Sequence, residues 1–256
     1  MTVTTVSPVP DFLKILAHDL RWQLLSVLTE SDRRVQELVE TLQRPQNLIS
    51  YHLRQLRTHH LVHERRSSAD ARDVYYSLDL AQLQRLYQDS GEALHPALTR
   101  DKPQPQPENL SPESPSYRVL FLCTHNSARS QLAEGILRAQ GGPGIQVFSA
   151  GSEPNGVNPL AVHAAAAIGL DISQHQSRHL DEFIGQSFTY IITVCDKVRE
   201  VCPVFPDEPQ QIHWSLADPA AVTGSEEERF QAFLQTAREL TTRIGYLLLM
   251  MRRRQS

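Results

Sequence analysis

The feature that most constrains this chain is a proline-rich stretch near its middle. Residues 98–116 read LTRDKPQPQPENLSPESPS and carry almost no large apolar side chains, so the stretch cannot bury enough surface to fold. Prolines that alternate with polar residues favour an extended polyproline II conformation, which acts as a spacer. We therefore predict two independent domains, residues 1–97 and 117–256, joined by a linker over residues 98–116.

The composition places the chain among ordinary globular proteins. Of its 256 residues, 40% are hydrophobic and 21% are charged, which suffices for two modest cores. No apolar run approaches the ~18 residues of a membrane span, and Pro8 and Pro10 interrupt any early signal pattern. All three cysteines follow residue 120, which favours reactive thiols in a reducing compartment over a disulfide framework. We expect a cytoplasmic protein that has no membrane partner.

The N-terminal domain shows helical periodicity followed by strand alternation. The short turn Arg44–Asn47 separates two helical segments and predicts a helix-turn-helix, and Ser31 or Asp32 can cap the first of its two helices. Two alternating stretches then predict a β-hairpin, and an amphipathic segment predicts a last helix. The predicted elements are helices near residues 12–20, 24–28, 35–42 and 48–56, strands at 61–66 and 73–78, and a helix at about 80–94.

A local excess of positive charge lies over the second helix of this motif and the start of the hairpin. Between Arg44 and Arg66, five arginines face one acid, Glu64. Such an excess is what phosphate contact requires. On charge alone, however, a solvated helix face is the simpler interpretation.

The order of these elements is that of a winged helix, and the domain resembles the ArsR-type metal-responsive repressors. The resemblance covers residues 11–95 and rests on LAHDLRWQLLSVL, LISYHLRQLRTHHLV and DVYYSL. It implies binding to double-stranded operator DNA and a homodimer formed through the first and last helices. The residues that it implies at the major groove or its phosphates are Gln46, Asn47, Ser50, Tyr51, His52 and Arg54, and the implied wing contacts to the backbone are Arg65, Arg66 and Arg72.

The domain departs from the ArsR-type pattern at the metalloid site. Many of these repressors hold the metalloid on a cysteine pair in the third helix, but here that region reads RRVQEL over residues 33–38. His52, His59, His60 and His63 lie close in sequence, yet adjacent histidines point in different directions and no carboxylate spacing supports a zinc site. We therefore predict no metal site.

The C-terminal domain opens with a Cys-x5-Arg pattern between a predicted strand, Tyr117–Leu122, and a predicted helix, Gln131–Gln140. Five intervening residues can wrap a loop whose backbone N–H groups converge on one anion at the positive end of a helix. Arg129 would close this cradle, the cradle would favour the thiolate form of Cys123, and Ser130 could donate to that thiolate. The predicted oxyanion-binding residues are Thr124, His125, Asn126, Ser127, Ala128 and Arg129. The simpler reading of the bare pattern is a buried cysteine and a solvent-exposed arginine.

The rest of this domain alternates between strand and helix patterns. Parallel βαβ units follow, and they predict an α/β domain with a four-stranded parallel sheet and flanking helices. Cys123 would then lie at the carboxyl end of a strand, where open α/β sheets place their ligand crevice. The predicted strands are residues 145–149, 188–194 and 212–214, and the predicted helical segments are residues 159–170, 180–185 and 225–251.

This domain resembles the low-molecular-weight tyrosine-phosphatase fold and, within it, the thioredoxin-coupled arsenate reductases. The resemblance spans Arg118 to about Leu249 and rests on VLFLCTHNSARSQLAEG, FSAGSEPNGVNPLAV, ITVCDKVREVCPVFP and HWSLADPA. It implies an arsenate or phosphate substrate, no bound cofactor, and external thioredoxin or glutaredoxin as reductant. The implied catalytic residues are the nucleophile Cys123, its partners Arg129 and Ser130, the acid Asp218, and the relay thiols Cys195 and Cys202.

Several residues favour the reductase over the phosphatase. Phosphatases of this fold usually carry proline where Gln131 stands and tyrosine after the catalytic Asp-Pro, where this chain has Ala220. They need neither Cys195 nor Cys202. Two alternatives stay open, namely a tyrosine phosphatase and a transcription regulator whose C-terminal domain only senses arsenate or redox state.

Some reductases of this type also bind potassium beside the loop. Asn126, Glu134 and Ser149 match the residues that help there, whereas Gln176 and Arg178 replace a hydroxyl and a carboxylate. Arg178 could itself supply the positive charge. We therefore predict no tight potassium site.

Overall fold

A computed structural model describes residues 8–95 and 117–253 of the chain. These residues form two compact units, one N-terminal and one C-terminal. The predicted linker over residues 98–116 lies outside the described residues, so its conformation and the domain boundaries stay predictions. Across the described ranges, every helix is too short or too polar to cross a bilayer.

The N-terminal unit is a mainly α winged helix, as predicted. Its strands form an antiparallel sheet in the order β1-β3-β2. The core of this unit is built from leucines of successive helices, of which Leu24, Leu38 and Leu53 are fully buried. The elements are α1 (Asp11–Leu16), α2 (Asp19–Glu30), β1 (Arg33–Arg34), α3 (Val35–Leu42), α4 (Gln46–Thr58), β2 (Val62–Arg66), β3 (Val74–Leu78) and α5 (Leu80–Leu94).

The start of α3 differs from the prediction. Its N-cap is Arg34, not Ser31 or Asp32, because Arg34 continues an extended segment that pairs with β3. The carboxylate of Glu37 accepts a hydrogen bond from the backbone N–H of Arg34 at 2.8 Å, which satisfies one of the donors that a helix start leaves unpaired. A strand of two residues is too short to show periodicity, so the sequence pattern could not indicate it.

The C-terminal unit contains a four-stranded, fully parallel sheet in the order β5-β4-β6-β7, which confirms the predicted α/β fold. Strand β6 is buried along its whole length, and so is β4 beyond its first two residues, as is typical of a parallel sheet with helices on both faces. The elements are β4 (Tyr117–Cys123), α6 (Arg129–Gly141), β5 (Ile145–Gly151), α7 (Pro159–Ala167), β6 (Tyr190–Thr193), α8 (Asp196–Glu200), β7 (Gln210–His213) and α9 (Glu226–Arg253).

Two helical segments of this unit differ from the prediction. The segment predicted over residues 180–185 is a short 3-10 turn, Leu180–Phe183. Helix α7 ends at Ala167 instead of continuing to Leu170, and Gly169 follows it with a positive φ of 80° that a helix cannot accommodate.

The parallel sheet brings the predicted catalytic segments to one edge. Cys123 ends β4, Cys195 lies two residues after β6, and Asp218 lies five residues after β7. Because the carboxyl ends of parallel strands share one edge of the sheet, all three segments leave from the same side. Helix α6 begins at Arg129, so its positive end faces the loop that follows Cys123.

The last residue of β5, Gly151, allows its neighbour on β4 to turn sharply into that loop. A Cβ atom added at Gly151 would lie 2.5 Å from the carbonyl oxygen of Thr124 and 2.7 Å from the backbone nitrogen of Asn126. Both neighbours are backbone atoms, which cannot rotate away. The close approach of strand and loop therefore requires glycine.

We predict that Gly151→Ala destabilises the C-terminal unit. Overpacking of a rigid site costs about 1–3 kcal/mol in free energy of unfolding. Gly245→Ala is the matched control, because nothing lies within 4 Å of a Cβ added at this helical glycine, and alanine there should stabilise the unit by up to about 1 kcal/mol. Urea unfolding of both variants measures the difference, and equal stabilities would contradict the proposed close approach.

Candidate active site

The loop after β4 surrounds the sulfur of Cys123 with hydrogen-bond donors. The Cys123 side chain is buried, the backbone N–H of Asn126 donates to its Sγ at 3.2 Å, and the Ser130 hydroxyl lies 2.9 Å from it. Ser130 belongs to the first turn of α6, so the sulfur also faces the positive end of that helix. This arrangement stabilises negative charge at the sulfur or at an anion held above it.

The side chain of Asn126 fixes the shape of the loop. This residue has a positive φ of 45° and is fully buried. Its amide nitrogen donates to the hydroxyls of Ser130 (2.9 Å) and Ser149 (2.8 Å). Its side-chain oxygen accepts from the backbone N–H of Arg178 (2.8 Å) and the amide of Gln131 (3.0 Å). Four hydrogen bonds thus hold a left-handed conformation that costs about 1–3 kcal/mol for a residue other than glycine.

Arg129 is held in place from the loop after β7. One guanidinium nitrogen donates to the carbonyl of Leu216 at 3.1 Å, and another lies 3.2 Å from Oδ2 of Asp218. Asp218 also accepts from the backbone N–H of Ala220 at 3.1 Å, and its side chain is 36% exposed. A carboxylate that reaches both solvent and the guanidinium can transfer a proton to or from a bound group.

The second thiol lies beside the loop. Cys195 is buried, and its Sγ lies 3.3 Å from the hydroxyl of Thr124, the residue after Cys123. Burial raises the pKa of the Cys195 thiol, and the nearby charge of Cys123 raises it further, although Arg129 opposes this. Burial also raises the pKa of Cys202, which follows α8, to about 11. Both thiols are therefore protonated at neutral pH in this conformation.

A polar network anchors the start of α8, between the two thiols. The Oδ1 atom of Asp196 accepts from the Nε2 atom of His213 (3.1 Å) and from the hydroxyl of Ser215 (2.7 Å). The Nδ1 atom of His213 lies 2.8 Å from the hydroxyl of Thr193. No sequence pattern links these residues, because they come from separate strand ends that only the fold brings together.

The other predicted loop residues face outward or serve through their backbone. The Nδ1 atom of His125 lies 3.1 Å from the carbonyl of Glu153, and the carbonyl of Ser127 accepts from the backbone N–H of Asn158 at 2.8 Å. Ala128 is buried and forms the N-cap of α6. These contacts fasten the rim of the loop.

A buried carboxylate behind the loop carries two guanidinium partners. Glu134 accepts a hydrogen bond from the Ser149 hydroxyl at 2.5 Å, and Ser149 in turn contacts Asn126. Nη2 of Arg178 lies 3.2 Å from Oε1 of Glu134, and the guanidinium of Arg138 bonds the same oxygen. Positive charge from the chain itself therefore neutralises this carboxylate.

In the N-terminal unit, most of the predicted DNA-contacting residues lie on the exposed face of α4 or on the wing. Tyr51 is 55% exposed, and Ser50 is half-buried. Arg65 and Arg66 lie on β2, and Arg72 lies in the loop between β2 and β3. The predicted contact residues of α4 that are exposed are Gln46, Asn47, Tyr51 and Arg54.

His52 corrects one of these predictions. It is buried, its ring packs against that of His18 with 4.4 Å between ring centroids, and burial lowers its pKa. It shares its face of α4 with the buried Ile49, Leu53 and Leu56, at the spacing that places side chains on one side of a helix. His52 is therefore an interior residue in this conformation.

The acid within the arginine-rich stretch is paired. Glu64 on β2 contacts the guanidinium of Arg57, and it accepts from the hydroxyl of Tyr76 at 3.3 Å. Nε2 of His63 lies 2.8 Å from Oδ2 of Asp79. Over residues 8–95 and 117–253, no three His, Cys, Asp or Glu side chains come together as metal ligands would.

Comparison with known proteins matches both halves of the chain to families. The family model described as low molecular weight phosphotyrosine protein phosphatase matches residues 118–256, and the bacterial regulatory protein, arsR family, matches residues 18–64. Over 126 residues, the arsenate reductase of Halalkalibacterium halodurans is 40% identical and that of Bacillus subtilis is 38% identical. Each match covers 49% of this chain and 91% of the relative.

A solved structure described as an arsenate reductase in oxidized state is 26% identical, covers 52% of this chain and 98% of its own, and has a TM-score of 0.47. The family matches and the two curated relatives carry the assignment. The chain belongs to the low molecular weight phosphotyrosine protein phosphatase family, with arsenate reductases among its relatives, and it joins that domain to one of the bacterial arsR regulatory family.

Proposed function

We propose that the C-terminal domain reduces arsenate to arsenite and that the N-terminal domain binds operator DNA. The observation that carries the enzymatic proposal is the second thiol, Cys195, which lies against Thr124 of the oxyanion loop. Ester hydrolysis requires only a nucleophile, an anion cradle and an acid. A sulfur next to the nucleophile serves a redox reaction, which is also the activity named for the relatives.

In the first step, the Cys123 thiolate attacks the arsenic(V) atom of arsenate held in the loop. An S–As bond forms, and one oxygen leaves as water after Asp218 supplies a proton. Arg129 stabilises the negative charge that remains on the other oxygens. The contact with the guanidinium, at 3.2 Å, places the Asp218 carboxyl group beside the bound oxyanion, and its exposure to solvent supplies the proton that it transfers.

In the second step, the Cys195 sulfur attacks the sulfur of Cys123. A disulfide forms, the S–As bond breaks, and its electron pair stays on arsenic, which leaves as arsenite. Cys195 must lose its proton first, and burial opposes this. The guanidinium of Arg129 favours the Cys195 thiolate, so it assists both steps.

In the third step, Cys202 attacks Cys195 and releases the Cys123 thiolate. Helix α8 lies between the two cysteines, and at 1.5 Å per residue it keeps their Cα atoms roughly 10 Å apart. A disulfide requires a Cα separation of about 4.4–6.8 Å. Helix α8 must therefore unwind, which also exposes Cys202 to an external dithiol. We propose thioredoxin as that reductant, with glutaredoxin as the alternative.

The N-terminal domain would bind DNA as a homodimer. The exposed face of α4 presents Asn47, Tyr51 and Arg54 to the major groove, and the wing presents Arg66 to the backbone. Tyr87 and Leu94 on α5 are 70% and 80% exposed, and Leu13 on α1 is 37% exposed. These apolar side chains on the first and last helices support a subunit interface there.

The thiol relay predicts different losses for the three cysteines. Cys123→Ser should abolish arsenate reduction, and Cys195→Ser should prevent release of arsenite. Cys202→Ser should release one arsenite per chain and then stop, because the Cys123–Cys195 disulfide cannot be passed on. Quenched-flow arsenite measurement, with and without thioredoxin, distinguishes these cases. Full thioredoxin-coupled turnover in Cys202→Ser would refute the relay, and rapid p-nitrophenyl phosphate hydrolysis without arsenate reduction would support a phosphatase.

Potassium should have little effect on this enzyme. The guanidinium groups of Arg138 and Arg178 already neutralise the Glu134 carboxylate, so binding of potassium there would bring no net electrostatic stabilisation. Replacing sodium chloride by potassium chloride at constant ionic strength should leave the melting temperature and turnover unchanged. Removal of both guanidinium groups, by Arg138→Ala together with Arg178→Ala, should make the melting temperature and turnover sensitive to potassium. A large potassium effect on the unchanged protein would contradict this prediction.

DNA binding should lose one phosphate contact per subunit when Arg66 is replaced. The slope of log affinity against log salt concentration falls by about 0.9 for each lost contact to duplex DNA. On a duplex of about 30 base pairs, a length that holds a helix-turn-helix dimer site, the homodimer loses one contact per subunit, so Arg66→Ala should lower the slope by about 1.8. Arg238→Ala, which removes an exposed arginine on α9 of the C-terminal unit, is the control and should leave the slope unchanged. Fluorescence anisotropy measures both, and equal slopes would contradict a backbone contact by the wing.

A further inference from the structure

Gln131 ties the first turn of α6 to the left-handed corner of the loop. Its side chain is fully buried. The two protons of the amide nitrogen are shared among three acceptors, namely the backbone carbonyl of Asn126 (3.1 Å), the side-chain oxygen of Asn126 (3.0 Å) and the carbonyl of Gln176 (3.1 Å). Gln131 thus contacts Asn126 at both its backbone and its side-chain oxygen.

His175 in turn fixes the orientation of the Gln131 amide. The Nδ1 atom of His175 lies 3.0 Å from the Gln131 side-chain oxygen, which can only accept, so Nδ1 carries a proton. The Nε2 atom lies 3.2 Å from Nη1 of Arg138, which can only donate, so Nε2 carries none. These two contacts require the neutral ring in a single tautomer.

We propose that Gln131 and His175 are positioning residues for the oxyanion loop, and that protonation of His175 loosens Asn126 and weakens oxyanion binding. This inference rests on the proposed function only in that the loop must bind a tetrahedral oxyanion. It adds two residues that do not touch the substrate. Their effect would pass through Asn126, which contacts Cys123 and Ser130.

The charges around His175 decide when it protonates. Burial lowers the pKa of His175 most, Glu134 raises it, and the guanidinium groups of Arg138 and Arg178 lower it, with a small opposing effect from Asp171. A proton added at Nε2 would face the N–H of Arg138. Because the Arg138 guanidinium is held by Glu134 and by the carbonyl of Val147, we expect the ring to move, and the Gln131 amide then loses the donor that orients it.

The direction of the pH effect follows from this depressed pKa. The unfolded chain protonates its histidine near the ordinary value of about 6.5, and the folded loop protonates it at lower pH. The contribution of His175 to the free energy of unfolding is therefore fully present above about pH 6.5. It declines below that pH, because the unfolded state takes up the proton first. Oxyanion affinity declines as the pH falls through the folded-state pKa, and by linkage a bound oxyanion lowers that pKa further.

The test uses the full chain with Cys123→Ser, so that the nucleophile does not titrate, and sulfate, whose charge is constant over the range studied. Calorimetry gives the sulfate Kd from about pH 7.5 to 5, a range that extends well below the ordinary histidine pKa of about 6.5. His175→Asn keeps a donor near the Nδ1 position but cannot protonate. His163→Asn, at an exposed site on α7, is the matched control.

Towards pH 5, we expect sulfate affinity to fall by about threefold or more in the parent and in His163→Asn, relative to the affinity of His175→Asn. This difference follows if binding requires a neutral histidine. Gln131→Met, which keeps the volume but removes the amide, should weaken sulfate binding about tenfold at neutral pH and flatten the pH dependence, as loss of buried hydrogen bonds does. Parallel pH profiles in His175→Asn and its parent would overturn the proposal.

A second readout remains valid if the variants fold poorly. In the parent protein, NMR titration of the His175 ring should show the Nδ1–H tautomer at neutral pH and a lower pKa when sulfate is bound. A pKa unchanged by saturating sulfate would also overturn the inference. Absence of sulfate binding at every pH would instead count against the oxyanion loop and thus against the proposed function.

Discussion

The interaction on which the C-terminal site depends is the set of hydrogen bonds made by the side chain of Asn126. The side-chain amide of Asn126 donates to two serine hydroxyls and accepts from two N–H donors, and these four hydrogen bonds hold the left-handed turn. With the turn fixed, its own backbone N–H points at the sulfur of Cys123. The loop is therefore shaped before any anion arrives, so little reorganisation is needed on binding.

Much of this architecture could be predicted from the sequence, because local periodicity and the Cys-x5-Arg spacing are physical signals. The strand before Cys123, the helix after it and the parallel sheet all follow from such patterns. The strand Arg33–Arg34 and the contacts of Asp196 and His213 could not be predicted, because they depend on distant pairing. The burial of His52 could have been predicted from the sequence, since its spacing from Ile49 and Leu56 places it on the apolar face of α4.

The same reasoning explains why the support of the loop was harder to predict than the loop itself. Gln131 stands out in the sequence as a departure from the phosphatase pattern, but its partner His175 lies 44 residues away in an irregular segment. Side chains such as Arg138 and Arg178 are solvent-exposed by default, and only the fold shows that both neutralise a buried carboxylate. Spacing can predict a motif, whereas its supporting contacts require coordinates.

The short helix α8 has a further consequence for the protein at rest. A helix of five residues has little cooperative stability of its own, so its folded form depends on the contacts of Asp196 and on the burial of Val198. In its folded form it keeps the outermost sulfur partly covered and protonated, so peroxides and other small oxidants meet a thiol of low reactivity. The proposed relay requires α8 to unwind, which would expose that sulfur to such oxidants, so the thiol is protected for as long as the helix stays folded.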